Sequence, residues 1–181
     1  MEGMIRSRCW RVFAVVMVFS CAGLMACNGD NNDDDQENGA LGSFDLSVSG
    51  DFSEQLSTGQ TQYHLNEDEG FCALTVADER SDRIYSVQLY YVSNECPSPG
   101  VYEVLPRNEV QEGQFWGLFT VLGAEGQPVF GSTSGTVEVT ARPNNRIEGE
   151  MDATFVHLID EERTVDVSGS FEVVVLAGSG D

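Results

Sequence analysis

Glu148-Gly149-Glu150-Met151-Asp152 places three carboxylates at alternate positions. Alternate residues of a β-strand project to one side, so a strand here carries three acids on one face. Two carboxyls about 5–5.5 Å apart supply the nucleophile and the general acid for retaining hydrolysis of a glycosidic bond. The same oxygens suit a hard cation, since calcium takes roughly 6–8 oxygen ligands. Hydration as the polar side of an amphipathic strand is the third outcome. Any register that sets the neighbouring apolar positions face to face brings Glu138 beside one of these acids. Like charges directly opposed destabilise a sheet, and salt or a bound divalent cation relieves them. Glu138, Glu148, Glu150 and Asp152 therefore form the candidate cation-binding set, with Ca2+ as its ligand. The strand's own outward positions are polar and offer no aromatic platform for a sugar, so no catalytic residue is assigned.

The carboxylate spacing resembles the Glu-x-Asp-x-x-Glu strand of jelly-roll glucanases, with a different order and length. That resemblance implies the alternative of a small carbohydrate-active hydrolase using Glu148, Glu150 or Asp152. Other motifs offer less. Residues 34–45 set Asp34, Gln36, Asn38, Gly39 and Asp45 at calcium-loop positions, but Gln at position three and Asp at position twelve depart from the pattern. Asn66-Glu67-Asp68-Glu69 and Asp160-Glu161-Glu162 are oxygen-rich loops. Gly131-Ser132-Thr133-Ser134-Gly135 has Thr133 where a nucleophile elbow needs serine, and a strand follows where a helix is required. His64 and His157 are the two histidines. His157 falls at a strand end, by parity on its inward face, which suits a barrel mouth. Phe115, Trp116 and Tyr102 are candidates for the floor of a ligand pocket, although aromatics at strand spacing serve a core equally well.

The elements that position these residues are strands. From Phe44 onward apolar residues recur with period two. Phe44, Leu46 and Val48 share a face, as do Tyr63 and Leu65, and Phe71–Val76 is a short run. Tyr85, Val87, Leu89 and Tyr91 form a longer set, followed by Val101–Leu105 and by Phe115–Leu122, apolar nearly throughout. No helical stripe is present. Turn signals recur at about the 8–12-residue spacing of β-sandwiches and barrels.

The last third predicts its own register. Val137, Val139 and Ala141 share a face, as do Ile147, Gly149, Met151, Ala153 and Phe155, and then Val165, Val167, Gly169, Phe171, Val173 and Val175. Opposed residues of antiparallel strands point the same way. A turn at Pro143-Asn144-Asn145 sets Ala141 opposite Ile147 and Val137 opposite Met151. A loop at 158–162 sets Phe155 opposite Val165, Met151 opposite Gly169 and Phe171 opposite Gly149. Large then faces small, and an aromatic covers a strand glycine. The run from Gly135-Thr-Val-Glu-Val through Arg146-Ile-Glu-Gly-Glu to Ser168-Gly-Ser-Phe resembles the closing meander of β-rich bacterial lipoproteins of mostly unassigned function. The expected fold is all-β: an antiparallel sandwich or small barrel of eight to ten strands over residues 44–181, ending in a three-strand meander.

Charge narrows the partners. The chain has 30 acidic residues against nine arginines and no lysine. Loss of residues 1–26 removes Glu2, Arg6, Arg8 and Arg11, leaving 29 acids, six arginines and a net charge of −23. Such a surface repels nucleic acid and anionic lipid headgroups and favours a basic or cationic partner.

The amino-terminal residues speak to location. Arg6, Arg8 and Arg11 precede the apolar run Val12–Phe19, and Leu24-Met25-Ala26-Cys27 follows it. This is secretory signal architecture. It is too short for a spanning helix, which needs about 20 apolar residues. Leu24-Met25-Ala26-Cys27 resembles the lipobox of bacterial lipoproteins. The resemblance implies cleavage before Cys27 and acylation of its thiol and its new amino terminus. Cys21 is the rival site. Asn28, in place of Asp, implies the outer membrane, on its periplasmic or its outer side. Residues 27–43 then comprise the lipidated cysteine and an acidic, disordered tether. An acidic run in that place also resembles the export signal of some surface-displayed lipoproteins. Cys72 and Cys96 remain, and an even pair in an oxidising compartment is expected to form a disulfide. The expected function is a membrane-anchored, exported, non-enzymatic binding or envelope-associated module. A barrel carrying an apolar ligand stands beside the hydrolase as a further alternative.

Overall fold

Residues 42–123 and 127–174 are described by a computed structural model. The signal segment, Cys27 and the tether through residue 41 lie outside the described residues. Ten strands form: β1 Phe44–Gly50, β2 Glu54–Leu56, β3 Gly59–Asn66, β4 Phe71–Glu79, β5 Ile84–Val92, β6 Gly100–Glu103, β7 Phe115–Leu122, β8 Val129–Ala141, β9 Arg146–His157 and β10 Thr164–Val174. All ladders are antiparallel and join one sheet in the order β2-β1-β10-β9-β8-β7-β5-β4-β3, with β6 on β8. The sheet curls into a half-barrel, and β3 packs back against β10.

The curl creates an inside, and the period-two pattern fills it. Phe115, Phe119, Phe130 and Phe155 are completely buried, and Tyr85 is nearly so. Phe52, from the β1–β2 connection, packs against Tyr85, Phe119 and Phe130 with ring centroids 5.9–6.2 Å apart. Cys72 and Cys96 are joined as a disulfide, with Cα atoms 5.0 Å apart. The bridge holds the β5–β6 connection against β4. Closing that loop restricts the unfolded chain by roughly 3.5 kcal/mol on the chain-entropy account.

The meander adopts the expected pairings Val137–Met151, Phe155–Val165, Met151–Gly169 and Phe171–Gly149. A Cβ at Gly149 would fall 2.8 Å from the Phe171 ring, so the aromatic needs glycine beneath it. The turn also forms where expected, Arg146 N–H donating to the Pro143 carbonyl at 3.0 Å. Asn144 takes φ 48°, a conformation asparagine tolerates. One pairing differs. Ala141 faces Glu148 and not Ile147, because a bulge intervenes between Val139 and Ala141. A second bulge lies between Ser132 and Ser134. It marks where β8 changes partner on one edge, from β7 at Val129–Gly131 to β6 at Thr136–Val139. The Ser132 hydroxyl bridges that fork, accepting from Gly117 N–H at 2.9 Å and donating to the Leu105 carbonyl at 2.7 Å.

The two ends of the sheet, β2 and β3, are joined only by Ser57 and Thr58. Asp78 on β4 holds this corner. Its carboxylate accepts from the backbone N–H of Ser57 and Thr58 at 3.1 and 3.4 Å, and from Arg80 Nε at 2.9 Å. Arg80 then reaches β2, donating to Glu54 at 2.6 Å and to the Gln55 carbonyl at 2.7 Å. Tyr85 donates its hydroxyl to Glu54 at 2.9 Å.

Replacing Asp78 by Ala should lower the unfolding free energy in urea by about 1–3 kcal/mol. Arg80 keeps Glu54 and solvent, whereas the Ser57 and Thr58 N–H groups lose their acceptor. The Glu54 carboxyl is held below its usual range by the hydrogen bond from Tyr85 and then by that from Arg80. A carboxyl lowered on folding adds stability above its unfolded value of about 4.3, and that contribution is lost as pH falls through the folded value. Glu54→Gln should therefore be less stable than wild type near neutrality and should converge with it only as acid takes the pH below the lowered folded value.

Candidate functional site

The outer surface of the half-barrel divides into two walls. On the first, β8, β9, β10 and β1 turn their polar alternates outward. Ladder pairing sets Glu138 opposite Glu150, Glu148 opposite Glu172, Asp152 opposite both Thr136 and Ser168, and Asp45 and Glu150 on either side of Ser170. The expected juxtaposition of Glu138 with an acid of β9 is thus present, and its partner is Glu150. Along β9 the three acids are spaced by two residues, about 6.5–7 Å, whereas opposed Cβ atoms lie about 4.5–5.5 Å apart. The closest carboxyl neighbours are therefore cross-strand pairs. Arg146 forms an ion pair with Glu172. Among the described residues no arginine pairs with Glu138, Glu148, Glu150 or Asp152.

A shallow, solvent-open recess of about 450 Å3 lies over this wall. Asp45, Glu148, Glu150 and Glu172 line it with Ser43, Thr140 and Ser170. Phe44 and Phe171 border it but are only 6% and 5% exposed. A sugar ring would find carboxylates there and almost no aromatic face. Among the described residues no three His, Cys, Asp or Glu side chains converge closely enough to hold a metal ion. The arrangement concentrates negative charge and can gather counter-ions along the row.

The other motifs resolve into structural parts. Ser132 is buried and engaged with backbone, and Thr133 donates to the Thr154 carbonyl at 3.2 Å. His157 sits at the barrel end against Phe130, with ring centroids 5.1 Å apart, and its Nδ1 accepts the Asp160 N–H at 3.0 Å. The Asn66–Gly70 turn is closed by the Asn66 side chain and carbonyl, which accept from Glu69 and Gly70. Most of the calcium-like run, residues 34–41, lies outside the described residues.

Phe115, Trp116 and Tyr102 do not share a pocket floor. Phe115 points into the core, where Tyr102 and Tyr91 pack on it. Trp116, its neighbour in the strand, therefore points to the outer face. There it stacks on Tyr90 with centroids 4.1 Å apart and planes 9° apart. Arg107 lies over the indole at 4.8 Å, and Phe71 meets Tyr90 edge-on at 5.3 Å. This second wall, over β4, β5 and β7, was indicated in the sequence by the parity that separates Trp116 from Phe115.

No family model, curated protein or solved structure matches the chain.

Three outcomes follow from this geometry. Sodium and calcium at matched ionic strength should raise the melting temperature equally, because two opposed carboxylates attract counter-ions without caging one. Glu150→Gln should raise it by itself, by a few degrees at most, and should reduce the gain from salt. Ser132→Ala should lower stability by about 1–3 kcal/mol, since Gly117 N–H and the Leu105 carbonyl lose their shared partner.

Proposed function

We propose that this chain is an exported lipoprotein, anchored in the bacterial outer membrane through Cys27, whose β domain acts as a non-enzymatic binding or envelope-associated module. The observation that carries this reading is the filled interior. Phe115, Phe119, Phe130 and Phe155 occupy the space that an apolar-ligand carrier would leave open. Recognition then falls to the outer walls. The acidic wall, around Glu138, Glu148, Glu150 and Asp152, suits basic or cationic partners. A hydrolase on the same wall would need a sugar platform, and Phe44 and Phe171 expose too little ring to supply one. The disulfide supports the export half of the reading, since such bonds persist in oxidising compartments. More than one acyl chain on Cys27 would give stable anchoring, where a single chain holds only marginally.

Metabolic labelling with palmitate tests the anchor. Wild-type protein should incorporate label and partition with membranes. Cys27→Ser should accumulate as an unlabelled, full-length precursor. Undiminished labelling of Cys27→Ser would move the site to Cys21.

A further inference from the structure

The connection from β9 to β10 turns its apolar side chains out and its backbone in. Leu158 and Ile159 are 63% and 91% exposed. His157, the last residue of β9, is half-buried at the barrel end and in register with Phe130 of β8. Its Nδ1 accepts the Asp160 N–H at 3.0 Å, and the Ile159 N–H lies 3.4 Å from the same nitrogen. The ends of the connection are held by backbone alone. His157 N–H donates to the Arg163 carbonyl at 3.0 Å, Leu158 N–H to the Val129 carbonyl at 3.0 Å, and Arg163 N–H to the Asp160 carbonyl at 3.1 Å. Among the described residues no backbone carbonyl accepts from Ile159 or Asp160. The tip that carries the exposed apolar pair therefore depends on one imidazole nitrogen.

We propose that His157 is an acid-released latch: as the neutral ring it fixes the tip that displays Leu158 and Ile159, and as the protonated ring it lets that tip go. A neutral imidazole has one N–H and one acceptor nitrogen, whereas an imidazolium has two N–H groups and no acceptor. A proton added at Nδ1 sets N–H against the N–H of Asp160. Imidazole is also the side chain whose ordinary charge change falls between about pH 5 and 8. The charged groups on the elements around the ring are Asp160, Glu161 and Glu162 of the connection, Arg163 at its far end, and Asp51 from the β1–β2 connection. Arg163 is ion-paired with Asp51 and lies over the Phe130 ring at 5.7 Å. Asp160 Oδ1 accepts the Glu162 N–H at 3.3 Å. From β8 the ring meets only the uncharged Phe130. Among the described residues no carboxylate accepts from the imidazole. A protonated ring thus loses its backbone donors and finds no acceptor in place to keep the tip closed.

Nuclear magnetic resonance of the full chain in detergent micelles tests the latch without any mutation. At about pH 8 the imidazole nitrogen shifts should report His157 Nδ1 as the unprotonated acceptor, with His64, exposed on β3, as the reference ring. Between about pH 8 and about pH 5 the exchange protection of the Asp160 amide, corrected for the intrinsic pH dependence of exchange, should fall by about tenfold, the worth of one lost hydrogen bond. Protection of Val167, buried in β10, should not change. His157→Asn places an amide oxygen near the Nδ1 position and cannot titrate, so it should keep Asp160 protected at both pH values. His157→Ala should leave Asp160 unprotected at both. An Asp160 amide indifferent to pH in the wild-type chain would overturn the proposal. So would the same acid loss in His157→Asn, which would assign the effect to the loop carboxylates. A parallel loss at Val167 would overturn it as well, because acid would then be unfolding the whole domain. None of these readings depends on the anchoring at Cys27 or on what the outer walls bind.

Discussion

Asp78 occupies an inward position of β4 with only 1% of its surface exposed, where pattern alone would place a valine or leucine. A carboxylate so buried is costly unless it is paired and hydrogen-bonded. Here it is both, through Arg80 and through two backbone N–H groups that have left their ladders to turn the corner from β2 to β3. The rest of the half-barrel depends on that corner. β2 is three residues long and cannot secure itself by its ladder to β1 alone. Arg80 binds it to β4 through Glu54 and the Gln55 carbonyl, and its guanidinium lies 5.1 Å over the Tyr85 ring. With the corner fixed, Leu56 and Phe52 stay over the core.

The curl has a second consequence. A sheet that fills its inside with phenylalanine carries its charge on the outside, where the distribution of outward residues follows the ladder register. The acids are not spread evenly. They alternate with Ser47, Ser168, Ser170, Thr136 and Thr140 across β1, β8, β9 and β10, short hydroxyl side chains that separate the charges. Glu138 with Glu150, and Glu148 with Glu172, are exceptions in which like charges stay opposed. The first has no arginine, and the second has Arg146. Such repulsion is tolerable because both walls of the pair face solvent, where water and salt screen it.

The strands and their inward faces were legible because period two is a local signal and a half-buried sheet enforces it at every step. Meander register was legible for the same reason, reinforced by the size matching of Phe171 with Gly149 and Met151 with Gly169. The Cys72–Cys96 bond followed from counting. The corner did not, because Asp78, Arg80 and Glu54 read as ordinary surface residues until the sheet curls and brings together positions more than twenty residues apart. Both bulges of β8 were illegible as well. The one at Ser132–Ser134 arises where β8 exchanges β7 for β6, a long-range event with no mark in the alternation beyond that polar run, and the one at Val139–Ala141 lies past the β6 ladder, next to the β8–β9 turn. Trp116 is a different case. Its parity opposite to Phe115 was available, and grouping the two by aromatic character concealed that they lie on opposite faces.

The two walls also share an orientation. Gly42 enters β1 at the end of the half-barrel that holds the β8–β9 turn, the disulfide loop and the end of β10, as the ladder directions require. The loops bearing the exposed Leu158 and Ile159 lie at the other end. Both walls run lengthwise between these poles, so each presents its rows of side chains along the flank of the half-barrel and neither lies at an end.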